Sequence, residues 1–266
     1  MIGSSVQIDS YLLNPQQEKN LSVLNVIPAA VKGCVVFLAT LNRRNHEPYS
    51  GSYPKELGVK WGTTTIGMTC LEGVLFATDT RVVQGMRFIA HKKGKKIHKV
   101  DDHIAMTIAG TVADAQVLVD VLRYQARMFR LERGFRIPVR SLVSLASIFL
   151  FRSRLFPMSV QALIGGVDGH GAELHQIDPL GGTTKEDVIA TGSGSPLALG
   201  FLESSLRKKV RLYDAIPYAV QAILVAMSRD TATGNDFEVA MVDANGYREL
   251  SDEERNKVAS LLKERK

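Results

Sequence analysis

The sequence predicts an α+β fold in which two antiparallel sheets stack face to face with helices on both outer faces. Three observations lead there. Candidate strands and helices come in clusters (strands, two helices, strands, two helices, a strand) rather than in the alternation that builds a parallel sheet. The strand candidates are short, rich in Thr, Val, Ile and Phe, and bounded by turn residues. The chain has 266 residues, 45% of them hydrophobic and 23% charged, which suffices for a sizeable core.

The elements follow in order. Residues 1–62 stand apart: they hold Pro15, Pro28, Pro48 and Pro54, a polar stretch at 42–56 and little periodicity, which reads as a loosely structured leader. The apolar run at 22–40 lacks a basic segment before it, is interrupted by Lys32 and is followed by no A-x-A site, so neither export nor a membrane span is expected. Residues 63–70 and 73–79 read as two strands joined at Glu72-Gly73, and 95–100 and 103–109 as two more. Between 112 and 132, Val117, Val121, Tyr124, Met128 and Leu131 recur at helical spacing. A second helix is expected over 138–153, begun by Pro138. Strands follow at 159–166, 172–178 and 183–190, then helices at 195–209 and 213–229 and a strand at 237–242. A last helix spans 251–265, opened by a Ser251/Glu254 capping box.

Composition narrows the function. Two cysteines, Cys34 and Cys70, are too few for a disulfide framework, and without a CxxC pair or spaced histidines no metal site is expected. HExxH, GxSxG and Walker A patterns are absent from the sequence. The net charge of +6 is spread over 91–99, 123–140 and 207–211, which reads as solvated faces and subunit contacts rather than a nucleic-acid site.

One segment carries chemistry. In Gly62-Thr63-Thr64-Thr65-Ile66-Gly67 a glycine ends the leader and a threonine opens a strand. Glycine lets the Gly62 peptide take conformations other residues resist, so the Thr63 hydroxyl could attack the Gly62 carbonyl. Hydrolysis would then free an α-amine, whose ordinary pKa of about 7.7–8.0 suits a general base for its own hydroxyl. The same six residues also read simply as a threonine-rich strand. Likewise GSGS at 192–195 taken alone could cradle a phosphate, although no second nucleotide motif accompanies it.

The stretch GTTTIGMTCLEGVLFATDTR at 62–81 closely resembles the start of mature proteasome β subunits, the archaeal type above all. The resemblance continues through 88–100, 106–118, 163–182, 190–203 and 227–236, in register throughout. It implies the four-layer αββα sandwich of N-terminal-nucleophile hydrolases. It also implies a propeptide at 1–62, removed on maturation, and a threonine protease domain at 63–266. By the same resemblance Thr63 is the nucleophile and Asp79 orients the active-site lysine. The Lys95-Lys96-Ile97 motif selects Lys96, whereas a strict count from Thr63 falls on Lys95. Ser193 and Asp230 support the threonine amine. Thr233 stands where the family usually has serine, and Gly110 offers its N–H to the oxyanion. Val82, Val83, His98, Ile108 and Val112 line the primary specificity pocket, whose apolar cast suggests cleavage after hydrophobic residues. No cofactor is implied. The implied partners are proteasome α subunits and other β subunits in stacked seven-membered rings, a separate ATP-dependent unfoldase and polypeptide substrates. No nucleic acid or membrane is among them, and the implied setting is the cytoplasm. The alternative within the family is a β subunit that only builds the ring.

Overall fold

Side-chain alternation along one strand sets the layering. In β2 (Gly73–Asp79), Val74 and Phe76 point into one apolar cluster while Leu75 and Ala77 point into another. A strand buried on both faces must lie between two layers. The computed structural model describes residues 62–84, 88–206 and 208–264, so the expected leader, apart from Gly62, lies outside the described residues.

The first sheet joins β2 to β1 (Thr64–Thr69), β10 (Val188–Gly192), β11 (Phe237–Asp243) and β12 (Gly246–Glu249) in the order β10-β1-β2-β11-β12. The second joins β5 (Ile97–Asp101), β6 (Ile104–Gly110), β7 (Val160–Asp168), β8 (Gly171–Ile177) and β9 (Thr183–Lys185) in that order. All these pairings are antiparallel. A short ribbon of β3 (Val82–Gln84) and β4 (Phe88–His91) stands beside them.

Phe76, Leu163, Leu174 and Ile189 fill the space between the sheets. On the outer side of the second sheet lie α1 (Val112–Arg133) and α2 (Val139–Arg152), sealed by Leu118, Leu122, Leu142 and Leu150. On the outer side of the first lie α3 (Ser195–Ser205), α4 (Leu212–Met227) and α5 (Asp252–Glu264). The order helix, sheet, sheet, helix is the four-layer sandwich expected. Full burial of one such Leu or Phe contributes roughly 1.5–3 kcal/mol. The capping box at α5 forms as read, with Ser251 N–H donating to Glu254 Oε2 at 2.9 Å and Glu254 N–H to Ser251 Oγ at 3.3 Å.

Several local expectations change. The single strand expected at 183–190 is two strands in different sheets. Residues Thr183 and Lys185 pair with Ile177 and His175, whereas Asp187 is drawn to the first sheet by Thr69, whose N–H and Oγ1 donate to its carbonyl at 2.8 and 3.0 Å. Helix α3 stops at Ser205, short of the expected 209. The ribbon and β12 were not anticipated, being only three or four residues per strand. The apolar series read over 112–132 does not face the core: Val117, Tyr124 and Leu131 are exposed, and Ala115, Leu118, Val119, Leu122 and Ala126 are buried instead. Helix α1 carries two apolar stripes, and periodicity alone does not say which one the sheet covers.

Candidate active site

Strand ends from both sheets meet at one rim. Thr63 precedes β1, Asp79 ends β2, Ser193 follows β10 and Gly234 precedes β11, so four neighbouring strands of the first sheet deliver their termini together. Lys96 just before β5 and Gly110 at the end of β6 come from the second sheet.

Asp79 is the hub and is wholly buried. Its Oδ1 accepts from Thr63 Oγ1 at 2.8 Å, Thr64 N at 2.9 Å and Lys96 Nζ at 2.7 Å. Its Oδ2 accepts from Arg81 N at 3.1 Å and Gly234 N at 3.0 Å. A buried carboxylate needs such company, because burying an unpaired charge is very costly. Lys96 Nζ also donates to Thr63 Oγ1, which closes a triangle of hydroxyl, ammonium and carboxylate. Burial pushes the Lys96 pKa below the ordinary lysine value, and the Asp79 carboxylate pulls against that shift. Lys95, the alternative by strict counting, is exposed and pairs with Glu249 at 2.6 Å.

A second set of groups holds the Thr63 backbone. Thr63 N–H donates to Ser193 Oγ at 3.3 Å, and Ser193 Oγ donates to Asp230 Oδ2 at 2.5 Å. Thr233 Oγ1 donates to the same carboxylate oxygen and meets Thr64 Oγ1 at 2.7 Å. Since the Thr233 proton is committed to Asp230, Thr64 is the donor in that last contact. The chain can approach so closely here because Gly192 has φ +93° and a Cβ on it would stand 2.2 Å from the Thr63 carbonyl oxygen. Gly192 of GSGS therefore makes room for Thr63, and Gly194 for the Thr64 hydroxyl, which a Cβ there would approach to 2.1 Å.

Thr63, Lys96 and Gly110 border a cavity of about 90 Å³. Every residue expected in the specificity pocket, Val82, Val83, His98, Ile108 and Val112, lines it. Burial, with the charges of Arg123 and Lys95, pushes the His98 pKa down to about 4, so the ring is neutral at neutral pH. Gly110 has φ +142°, and a Cβ on it would stand 1.9 Å from the Ser159 carbonyl oxygen, so only glycine ends β6 this way.

Sequence reading missed several participants. Arg81 donates from its backbone to Asp79, and its guanidinium fixes Thr231 O at 2.6 Å and Asn235 Oδ1 at 3.0 Å. Its position two residues after Asp79 was the available signal. The threonine run is also more than strand preference: Thr65 Oγ1 meets Thr191 Oγ1 at 2.7 Å and accepts from Thr107 Oγ1 at 3.0 Å, all buried. Nothing local marks Thr107 or Thr191. Gly62 touches Ala232, and a Cβ at position 62 would stand 1.6 Å from the Ala232 Cβ, so space alone demands glycine there. Among the described residues, no cluster of three or more potential metal ligands forms and no helix is long and apolar enough to cross a membrane.

A sequence profile of the family described as "Proteasome subunit" matches residues 59–242. The protein named proteasome subunit beta from Methanothermobacter thermautotrophicus is 45% identical over 197 residues, covering 74% of this chain and 93% of that protein. Its namesake from Ferroglobus placidus is 42% identical over 203 residues, covering 76% and 96%. That from Methanococcus aeolicus is 42% identical over 203 residues, covering 76% and 93%.

Proposed function

The chain belongs to the proteasome subunit family as a β-type subunit, and from that premise we propose that it is a catalytic one, a threonine endopeptidase whose nucleophile is Thr63. The observation that carries this is the hydrogen-bonded set of Thr63 Oγ1, Lys96 Nζ and the buried Asp79 carboxylate. A subunit that only builds the ring has no use for a buried ammonium held against a hydroxyl, since desolvating both charges costs several kcal/mol per ion.

The geometry supports the following sequence. In the intact chain Thr63 N is a peptide nitrogen and cannot act as base. Lys96, whose neutral form burial favours, is the group placed to take the hydroxyl proton. Oγ1 bonds to the Gly62 carbonyl carbon, the Gly62–Thr63 C–N bond breaks, and the nitrogen takes up a proton to leave an ester. Water then hydrolyses the ester, which releases Gly62 as a carboxylate and leaves Thr63 with a free hydroxyl and α-amine.

On a polypeptide substrate the same hydroxyl forms an acyl-enzyme, the leaving amine takes the proton, and water frees the acyl group. Ser193, backed by Asp230, holds the new α-amine, and the Gly110 N–H faces the developing oxyanion. The residue before the scissile bond enters the cavity of Val82, Val83, Ile108 and neutral His98, which suits an apolar side chain.

In this reading residues 1–62 are the removed propeptide. The subunit sits with α subunits and other β subunits in stacked rings, in the cytoplasm, fed by a separate ATP-driven unfoldase. The exposed stripe of Val117, Tyr124 and Leu131 on α1 is a surface that assembly would cover. The test is N-terminal sequencing and intact mass of the chain co-expressed with its α subunit. A Thr63 N-terminus in the wild type, and a full-length chain in Thr63→Ala, is the expected pair of results. A wild-type chain that keeps its leader in an assembled particle would favour the ring-building role instead.

A further inference from the structure

We infer that the chain holds one buried water molecule as a built-in ligand, bound jointly by Asp101, His103 and Arg130 where the turn between β5 and β6 meets the end of α1. Asp101 Oδ2, His103 Nδ1 and Arg130 Nε are all buried and have no hydrogen-bond partner among the described residues. Four buried side-chain atoms of the described residues are in that state, and three of them belong to this one cluster. Buried donors and acceptors are seldom left unpaired, so the clustering calls for a shared partner.

The bonds already made fix what each group can still do. His103 is 3% exposed, and its Nε2 meets the Ile137 carbonyl oxygen at 2.8 Å. A carbonyl only accepts, so Nε2 carries the proton, which in a neutral imidazole leaves Nδ1 an acceptor. Asp101 is 9% exposed, and its Oδ1 accepts from Arg130 Nη2 and from Asp102 N, the latter at 2.7 Å. Its Oδ2 stands 3.7 Å from His103 Nδ1. Two acceptors cannot bond each other, and a proton on Nδ1 would not close a gap of that length. Arg130 Nε can only donate.

Two acceptors and one donor are the complement of water, which donates twice and accepts. A metal ion does not suit the place, because Arg130 turns an N–H toward it. An ammonium would leave Arg130 Nε without an acceptor, and an anion would face the Asp101 carboxylate. Access exists, since Asp101 and Arg130 line a cavity of about 590 Å³ beside β5 and α1. So placed, the water ties the β5–β6 turn to α1 and, through His103, to Ile137 just before α2. The turn is the far end of the hairpin that carries Lys96 and Gly110 at its other end.

The experiment is a crystal structure of the particle assembled with its α subunit, at a resolution that shows ordered water. One peak at about 2.7–3.2 Å from all three atoms is expected in the wild type. No peak there, or one at the roughly 2.0–2.2 Å of a metal ligand, would overturn the assignment. Two variants divide the two ring nitrogens. His103→Asn keeps an acceptor where Nδ1 stands and should keep the peak, whereas His103→Gln keeps a donor toward Ile137 O but not that acceptor and should lose it. Loss of the peak in His103→Asn, or its persistence in His103→Gln, would show that Nδ1 does not hold the water and would equally overturn the assignment.

Discussion

Lys96 Nζ and Asp79 Oδ1 stand 2.7 Å apart, 17 residues distant in sequence and contributed by opposite sheets, with the Asp79 side chain fully buried and that of Lys96 nearly so. Neither charge is tolerable there without the other. The pair sits directly on the Thr63 hydroxyl, which donates to Asp79 and accepts from Lys96, so the arrangement that stabilises the pair also fixes that hydroxyl, the nucleophile of the proposed reaction.

Lys96→Ala should therefore abolish self-cleavage and lower kcat/KM on a fluorogenic peptide by about 10²–10⁴, the usual worth of a positioned proton-transfer group. Lys96→Arg should fail as well, because a guanidinium keeps its charge and gives up no proton. The same change at Lys95, whose ammonium pairs with Glu249 at the surface, should cost far less. Substantial activity in Lys96→Arg would remove Lys96 from the proton-transfer role.

Self-cleavage should quicken as pH rises. In the proposed reaction Lys96 acts in its neutral form, and burial has lowered its pKa, so the acid limb of the rate profile should lie below the ordinary lysine value of 10.5. Time courses of leader release across pH 6–9 would check this (roughly the range open to a folded particle). A flat profile would point to another base.

Thr233 stands where the resemblance implies a serine, and its hydroxyl reaches both Asp230 and Thr64. Thr233→Ser should retain activity within a few-fold. Thr233→Val keeps the shape but takes away the partner of the buried Thr64 hydroxyl, which should cost about 1–3 kcal/mol in melting experiments and a matching loss of activity. Equal behaviour of the two variants would show that the hydroxyl is dispensable.

Glu173 links stability to pH. Arg140, Lys185 and His175 surround its buried carboxylate, and the Arg140 hydrogen bonds foremost push its pKa from 4.5 down to about 2. A depressed carboxylate stabilises the fold fully above pH 4.5, and that contribution is lost as pH falls from 4.5 toward 2. At about 1.4 kcal/mol per unit, discounted for the exposed cationic partners, it amounts to ~2–3 kcal/mol. Chemical denaturation of Glu173→Gln and wild type should differ by that amount at pH 7 and converge in acid.

The cavity should prefer apolar residues before the scissile bond over acidic ones by about 10-fold or more, since burying a carboxylate against its apolar lining costs more than losing a methylene contact. His98→Lys, which places a charge on the lining, should narrow that ratio. Competition between matched peptide pairs would measure it. An unchanged ratio would place the residue-reading surface elsewhere.

What the sequence determined was local. Enrichment in Thr, Val, Ile and Phe with the turn at Glu72-Gly73 gave β1 and β2, and the Ser251/Glu254 spacing gave the cap of α5, because each depends on neighbours along the chain. The motif around Thr63 named the nucleophile as a candidate for the same reason. Tertiary structure decided the rest. Between Lys95 and Lys96, counting and motif disagreed, and the choice depends on which ammonium the register of β5 turns toward Asp79. Which stripe of α1 is buried depends on the sheet beneath it, and the break at residues 186–187 depends on a hydrogen bond from Thr69, over a hundred residues away. The need for glycine at 62 comes from Ala232, a residue brought there only when β1 and the turn before β11 lie side by side. Steric exclusion and charge pairing act between atoms a few ångströms apart, and the sequence does not say which atoms those are until the chain has folded.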